Sequence, residues 1–431
     1  MHLRLLAAAL AAAVALPSAA QERPVIEVGS PNFQPLPIAI APFSPDGDAT
    51  AREAWETVRA DLNLSGVFKV LDPKSFLADP GEGLQAATIK FARWGDVGAD
   101  GLVKAKVGGD AGQASAELHL FDVRAGRELL STAVSGGGAR AVGHQIADAV
   151  LQYYTREPGV FDTRIAAIRK TKEGRELVLF DVDGKRSQVL LSEKMLILMP
   201  SWRPDGKELL VTSYRNGRPE LWTYRLADRS FRKLVSVGSL TMGGTWSPDG
   251  SRIAFTASQS GGTTDVWVAD ADGGNARRLT RDPGDDLSPT WSPDGRRIAF
   301  VSNRAGSPQI YVMNADGSDP RRLTFQGNYN QTPQWSPRGD LIAFTARDER
   351  KVFDVFVVST DSGKIERVTQ NQGATNEEPS WAPNGRLLAF TSDRKGAPQL
   401  VVSSPDGDRQ VVVTDGRSVI ATPSWGPKVA R

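Results

Sequence analysis

Catalysis or metal binding needs an imidazole, an activated nucleophile, clustered carboxylates or a phosphate cradle, and the sequence offers few of these. Histidine occurs only at positions 2, 119 and 144 and cysteine not at all. His119 falls in a β-like run and His144 in a helix-like run, and neither has a second ligand at metal spacing, so ordinary structural roles are expected for both. Gly416-Arg-Ser418 begins the elbow that exposes a nucleophilic serine, but Ile420 stands where its closing glycine belongs. Gly136-Gly-Gly138 lacks the lysine and the strand-to-helix context of a phosphate loop. Carboxylates are plentiful at Asp205, Asp249, Asp272, Asp294 and Asp316, but they recur beside glycines as turn residues do, which explains them without a site. Asp285-Asp286 and Glu377-Glu378 precede strands, and calcium held by such oxygens is the one cofactor the residues leave open. No catalytic residue, no metal ligand and no other cofactor is expected.

The elements that would position a site are set by a repeat. Trp202-Arg-Pro-Asp-Gly206 recurs as Trp246-Ser-Pro-Asp-Gly250, Trp291-Ser-Pro-Asp-Gly295, Trp335-Ser-Pro-Arg-Gly339 and Trp381-Ala-Pro-Asn-Gly385, and Trp425-Gly-Pro closes the series. The tryptophans are spaced by 44, 45, 44, 46 and 44 residues, a period that suits a four-stranded propeller blade. Each phrase is a strand running into a tight turn, followed by β-rich runs such as Arg252–Thr256, Arg297–Val301 and Leu341–Thr345. A large ring at the same strand position in every repeat is expected to pack between neighbouring blades rather than to stack on a sugar. The last phrase has no strands after it, whereas Arg164–Arg169, Glu176–Asp181 and Ser187–Leu191 are strands with no phrase before them. Joining the two ends completes a sixth blade and leaves no open sheet edge.

Residues 36–158 follow another pattern. Pro37–Phe43, Gly66–Leu71, Gly101–Val107, Ser115–Phe121 and Glu128–Val134 are expected strands. Helices are expected over Ala54–Leu62, Leu84–Trp94 and Val142–Tyr153, with Asp48 placed to cap the first. The fold class is therefore multidomain: an N-terminal mixed α/β domain followed by an all-β six-bladed β-propeller over 159–431. Ahead of both, Arg4, the apolar run Leu5–Leu16 and Ser18-Ala-Ala20 have the layout of a cleaved secretory signal over 1–20. That run is too short to span a bilayer. With Arg4 removed, 51 basic residues face 50 acidic ones, which argues against a nucleic-acid partner. A monomer without a membrane span, exported to an oxidising compartment yet free of disulfides, must draw its stability from a large core.

Leu36–Phe43, Ala60–Asp72, Gly98–Val103 and Gly159–Ile165, in this order ahead of the repeat, resemble the TolB family of the Tol-Pal envelope system. The resemblance implies a periplasmic, non-enzymatic scaffold that supports outer-membrane integrity and cell division. It would bind the lipoprotein Pal through the propeller and TolA through the extreme N-terminus. The residues just before each inner strand converge on one mouth of the ring. This places the Pal site at Leu240, Met242 and Gly243, at Asp286, Leu287 and Ser288, at Tyr329, Asn330 and Gln331, and at Thr375, Asn376 and Glu377. The extended segment 21–35, with Glu22, Arg23, Val25, Ile26, Glu27 and Val28, suits a strand added to the edge of TolA. The resemblance also implies a switch, in which that segment docks on its own protein or is offered to TolA according to whether Pal is bound. Two other readings remain at this point: a secreted propeller that binds a glycan or small ligand, and an enzyme with a site in the channel.

Overall fold

The computed structural model describes residues 33–77, 82–110, 112–259, 262–347, 351–370 and 373–428. The signal-like run 1–20 and the predicted TolA-binding residues Glu22, Arg23, Val25, Ile26, Glu27 and Val28 lie outside the described residues. The N-terminal domain runs β1 (Leu36–Ile40), α1 (Ala49–Leu64), β2 (Phe68–Val70), α2 (Phe91–Asp96), β3 (Gly101–Gly109), β4 (Ala114–Asp122), β5 (Arg127–Ser135) and α3 (Ala139–Thr155). The sheet order is β2-β1-β3-β4-β5, with β1 parallel to both neighbours and the rest antiparallel. Alternation along β1 sends Ile38 and Ile40 to one face, where Val58 and Leu62 of α1 and Val142, Ile146 and Val150 of α3 cover them. Ala39 goes to the other face, with Leu102, Phe121 and Trp94. Asp48 caps α1 by accepting the Ala51 N–H at 2.8 Å.

The helix expected over 84–94 is replaced by a 3₁₀ turn, Ala86–Thr88, and the short α2. A side chain organises this segment instead of a continuous helical ladder. The Glu82 carboxylate accepts from Lys90 N at 2.8 Å, from Trp94 Nε1 at 3.0 Å and from Lys104 Nζ at 2.9 Å.

Six four-stranded sheets follow. Their inner strands are Ile420–Trp425, Ile197–Trp202, Leu240–Trp246, Asp286–Trp291, Asn330–Trp335 and Asn376–Trp381, and these define blades 1 to 6 in that order. Blade 1 combines Ile420–Trp425 with Arg164–Lys170, Arg175–Asp181 and Ser187–Glu193, so the ring is closed by strands from both ends of the array, as the repeat predicts. Every phrase tryptophan is 5–7 % exposed, which removes the sugar-platform reading for these rings. Each wedges against the preceding blade. Trp246 packs with Leu210 and Leu221 of blade 2, and Trp291 with Ala254, Val266 and Val268 of blade 3. Trp202 Nε1 donates to the Ser424 carbonyl at 3.1 Å, across the closing seam. The turn acids act locally. Asp249 accepts from Ser247 Oγ at 2.6 Å and Ser251 N at 3.0 Å, which holds its carboxyl down at about 2.

Gly426 shows why the sixth phrase departs from the others, since a Cβ there would lie 2.5 Å from the Trp202 ring. The seam thus depends on Trp202, Gly426 and the last strand together. Trp202→Ala should cost about 3–5 kcal/mol, read as a lower urea midpoint. Removal of residues 420–431 should abolish the cooperative propeller transition rather than fray one strand. A truncated chain that unfolds with wild-type cooperativity would sink this account of closure.

Candidate functional site

Each inner strand carries the same irregularity three residues before its tryptophan. Met199, Gly243, Ser288, Thr332, Glu378 and Thr422 have φ of 52°, 62°, 52°, 49°, 60° and 47°, and the pairing register of every inner strand slips beside them. These are β-bulges, which re-aim side chains where a ladder is broken. Proline follows the bulge in five blades, at Pro200, Pro289, Pro333, Pro379 and Pro423, because no ladder N–H is needed there. The bulges ring a channel of about 110 Å³ whose lining includes Met199, Ser288, Thr332, Glu378 and Thr422. Bulge N–H groups are satisfied across blades: Gly243 N donates to Thr212 Oγ1 and Ser288 N to Thr256 Oγ1, each at 3.0 Å.

Glu378 breaks this hydroxyl pattern, because its carboxylate accepts the Thr422 N–H at 2.6 Å. Burial raises its pKa. Glu377 is pushed up to about 7 by burial, reinforced by the charges of Glu378 and Asp393. Among the residues lining the channel, Glu378 is the one charge. Of the bulge residues, Gly243, Ser288 and Glu378 were singled out from the sequence, and Met199, Thr332 and Thr422 were not. The proline two positions before the tryptophan was the signal that could have found the others.

The structure brings part of the predicted mouth together and removes part of it. Leu240, Met242, Gly243, Leu287, Ser288, Gln331, Thr375 and Glu377 are half-buried at the channel entrance, and Tyr329 is exposed. Asp286, Asn330 and Asn376 are 0 %, 1 % and 0 % exposed and offer no contact surface. Their side chains stand at the first inner-strand position and turn into the seams between strands. Asp286 pairs with Arg304 at 2.9 Å, Asn330 donates to Gln309 Oε1 at 2.9 Å, and Asn376 donates to Asp354 Oδ1 at 2.9 Å. Asp285 is held by a loop of the preceding blade, accepting from Thr264 N at 3.0 Å and Thr264 Oγ1 at 2.8 Å. Asp286, buried and ion-paired, is not directed into the channel. Two residues missed in the sequence stand out on the same end. Phe325 is 72 % exposed and Met195 45 %, both on loops that lead from an outer strand to the next inner strand.

The opposite end of the ring is covered by the N-terminal domain. Arg338 and Arg386 pair with Glu157, Asn384 donates to the Pro158 carbonyl, Arg409 donates to the Asn63 carbonyl at 3.0 Å, and Arg186 pairs with Glu53. A cavity of about 280 Å³ lies inside this junction, lined by Gly138, Arg140, His144, Arg164 and Asp181 among others. His144 Nδ1 is 2.6 Å from Asp61 Oδ2. Ligand atoms of His144, Asp181 and Asp183 lie within 4.8 Å of one another. Arg140 and Arg164 pair with the two carboxylates, so ion pairing accounts for that cluster without a metal. His119 is buried between Glu117 and Glu128 on the sheet, as a structural histidine would be.

Residues 24–129 match the TolB amino-terminal domain, and residues 151–429 match the TolB beta propeller domain. The chain belongs to the TolB family. It is 64 % identical over 424 residues to the Tol-Pal system protein TolB of Anaeromyxobacter dehalogenans strain 2CP-1, covering 97 % of both chains. It is 65 % identical over 429 residues to that of Anaeromyxobacter sp. strain K, covering 99 % of this chain and 98 % of the relative. The crystal structure of TolB from Acinetobacter baumannii is similar with a TM-score of 0.81 and 28 % identity, covering 92 % of this chain and 97 % of that one. Membership of the TolB family ties the chain to the Tol-Pal system, whose TolB members are named as system proteins rather than as enzymes. Among the described residues no helix is long and apolar enough to cross a membrane.

The raised Glu377 carboxyl gives a pH test. Its proton is held more tightly in the folded chain, so the associated stability is complete below about 4.5 and lost as pH rises through about 7. Glu377→Gln should gain urea resistance relative to wild type at pH 8 and little at pH 5. An equal difference at both values would contradict the channel electrostatics described above.

Proposed function

We propose that this chain is a periplasmic scaffold of the Tol-Pal system that binds Pal at the propeller mouth and TolA through residues 21–35, in support of outer-membrane integrity and cell division. The observation that carries this reading is the asymmetry of the ring. One end is covered by the N-terminal domain, whereas the other presents Met195, Phe325 and Tyr329, three of the six exposed large hydrophobic residues among those described. Tyr329 is steadied edge-on by Phe353 at 5.7 Å, and Arg322 stacks over Phe325 at 5.0 Å. Aromatic anchors held in this way at the rim of a concavity suit a protein partner. The channel beneath them is lined by hydroxyls, prolines and one carboxylate, with no imidazole beside a nucleophile among the described residues, which favours a scaffold over an enzyme. Membership of the family supports the choice of partners.

Calorimetric titration with the soluble domain of the organism's own Pal tests the mouth. Saturable binding is expected, and Phe325→Ala with Tyr329→Ala should weaken it by roughly tenfold or more while the fold persists. Deletion of residues 21–35 should abolish binding to the C-terminal domain of TolA and leave the Pal titration saturable. Wild-type protein that does not bind Pal would overturn the assignment and return the channel to consideration as a small-ligand site.

A further inference from the structure

The cavity at the domain junction is unusual in the polar groups that it leaves unmatched. It opens on the first turn of α3, a 17-residue helix whose N-cap is Gly138 and which receives no side-chain cap. The first N–H groups of any helix have no intrahelical acceptor. Here that turn is buried, with Ala139 at 0 %, Arg140 at 4 % and Ala141 at 7 % exposure. Two side chains on the cavity wall are also unmatched. Arg140 donates through Nη1 to Thr57 and through Nη2 to Asp183, but its buried Nε has no hydrogen-bond partner, lying 3.6 Å from Asp181. His144 is 3 % exposed, and with Nδ1 directed at Asp61 its Nε2 is likewise unpartnered, 3.9 Å from Asp181 Oδ2.

These groups divide by chemistry. The α3 N–H groups and Arg140 Nε are donors that seek an oxygen acceptor. A neutral imidazole whose Nδ1 donates to a carboxylate presents Nε2 as an acceptor, and the facing Asp181 oxygen is an acceptor too. An occupant that matches both sides must carry bare oxygens at one end and an O–H at the other. Charge narrows the choice. Arg140 is offset by Asp183, Arg164 by Asp181, Arg186 by Glu53 and Lys428 by Asp162, so the wall is near neutral and a highly charged anion is disfavoured.

We infer that the junction cavity is a binding site for a protonated phosphate, as free hydrogen phosphate or as a phosphomonoester group small enough for about 280 Å³. Its bare oxygens lie on the α3 N-terminus and Arg140 Nε, and its O–H donates to His144 Nε2 or Asp181. Because α3 belongs to one domain and Asp181 and Arg164 to the other, the bound group joins the two. Sulfate has the same shape but no O–H at neutral pH, so the site selects against it.

Inorganic phosphate and sulfate, titrated into the purified protein at matched ionic strength and pH 7, test the inference. Saturable binding of phosphate is expected, about tenfold or more tighter than sulfate, with a melting temperature that climbs with phosphate concentration. Arg140→Gln should weaken phosphate by about tenfold. Imidazole nitrogen resonances supply a readout without any variant. Phosphate should shift those of His144 and leave those of His119 unchanged. A phosphomonoester such as glycerol phosphate, compared with inorganic phosphate at pH 6, where a large share of the ester keeps its O–H, distinguishes the sources: binding as tight as inorganic phosphate assigns the ester class, and exclusion assigns the free ion. Equal weak effects of phosphate and sulfate, or a His144 resonance that does not move at saturating phosphate, would overturn the site.

Discussion

The pairing of Ile420–Trp425 with Arg164–Lys170 is the constraint on which the rest of the propeller depends. Each blade buries its tryptophan against the blade before it, so the series has a satisfied face and an unsatisfied one until the first and last blades meet. Closure matches Trp202 to Ser424 and Gly426 in the same way that the other seams match tryptophan to neighbour. It also draws Trp425 Nε1 to Thr163 Oγ1 at 2.7 Å, which ties the ring to the linker leaving α3. The core of the N-terminal domain is continuous with that of blades 6 and 1 through Val160, Phe161 and Ile165. The docked domain and the closing blades therefore share one core.

Most of the fold was legible because it rests on local chemistry repeated many times. The Trp-x-Pro-x-Gly phrase specifies a strand and its turn from adjacent residues, and the period counts the blades. The α/β domain was legible where apolar alternation is strict and illegible at 84–94, where the structure depends on Glu82 reaching Lys90, Trp94 and Lys104. The positions ahead of the inner strands do gather at one end of the ring, but Asp286, Asn330 and Asn376 were taken for surface residues and are buried. Asn330 and Asn376 reach partners in the preceding blade and Asp286 reaches Arg304 beyond the second strand of its own blade, all 18 to 22 residues away in the chain. The bulges were written in the sequence as the recurring proline. Phe325 was not, since exposure of an aromatic side chain follows from the surrounding loops and has no periodicity.

The two ends of the ring have different physical characters. The mouth offers apolar contact above a channel with one carboxylate and several hydroxyls. The other end is fixed by ion pairs, by side chains that donate to main-chain carbonyls, and by Asp148, which accepts the Phe161 N–H at 2.8 Å and the Asp162 N–H at 3.2 Å. Burial pushes the Asp148 carboxyl up to about 6 even with these donors in place. The linker is thus clasped by a group of α3 close to Asp61 and His144, and the polar apparatus of the junction is concentrated around one helix.

Closure by the last strand has a consequence for biogenesis. A chain made from its N-terminus presents Arg164–Lys170 long before Ile420–Trp425 exists, and through that interval the first blade has an unpaired inner edge. The ring cannot become a topologically closed object until Ile420–Trp425 has been made, so every shorter nascent chain carries the first blade as an open sheet.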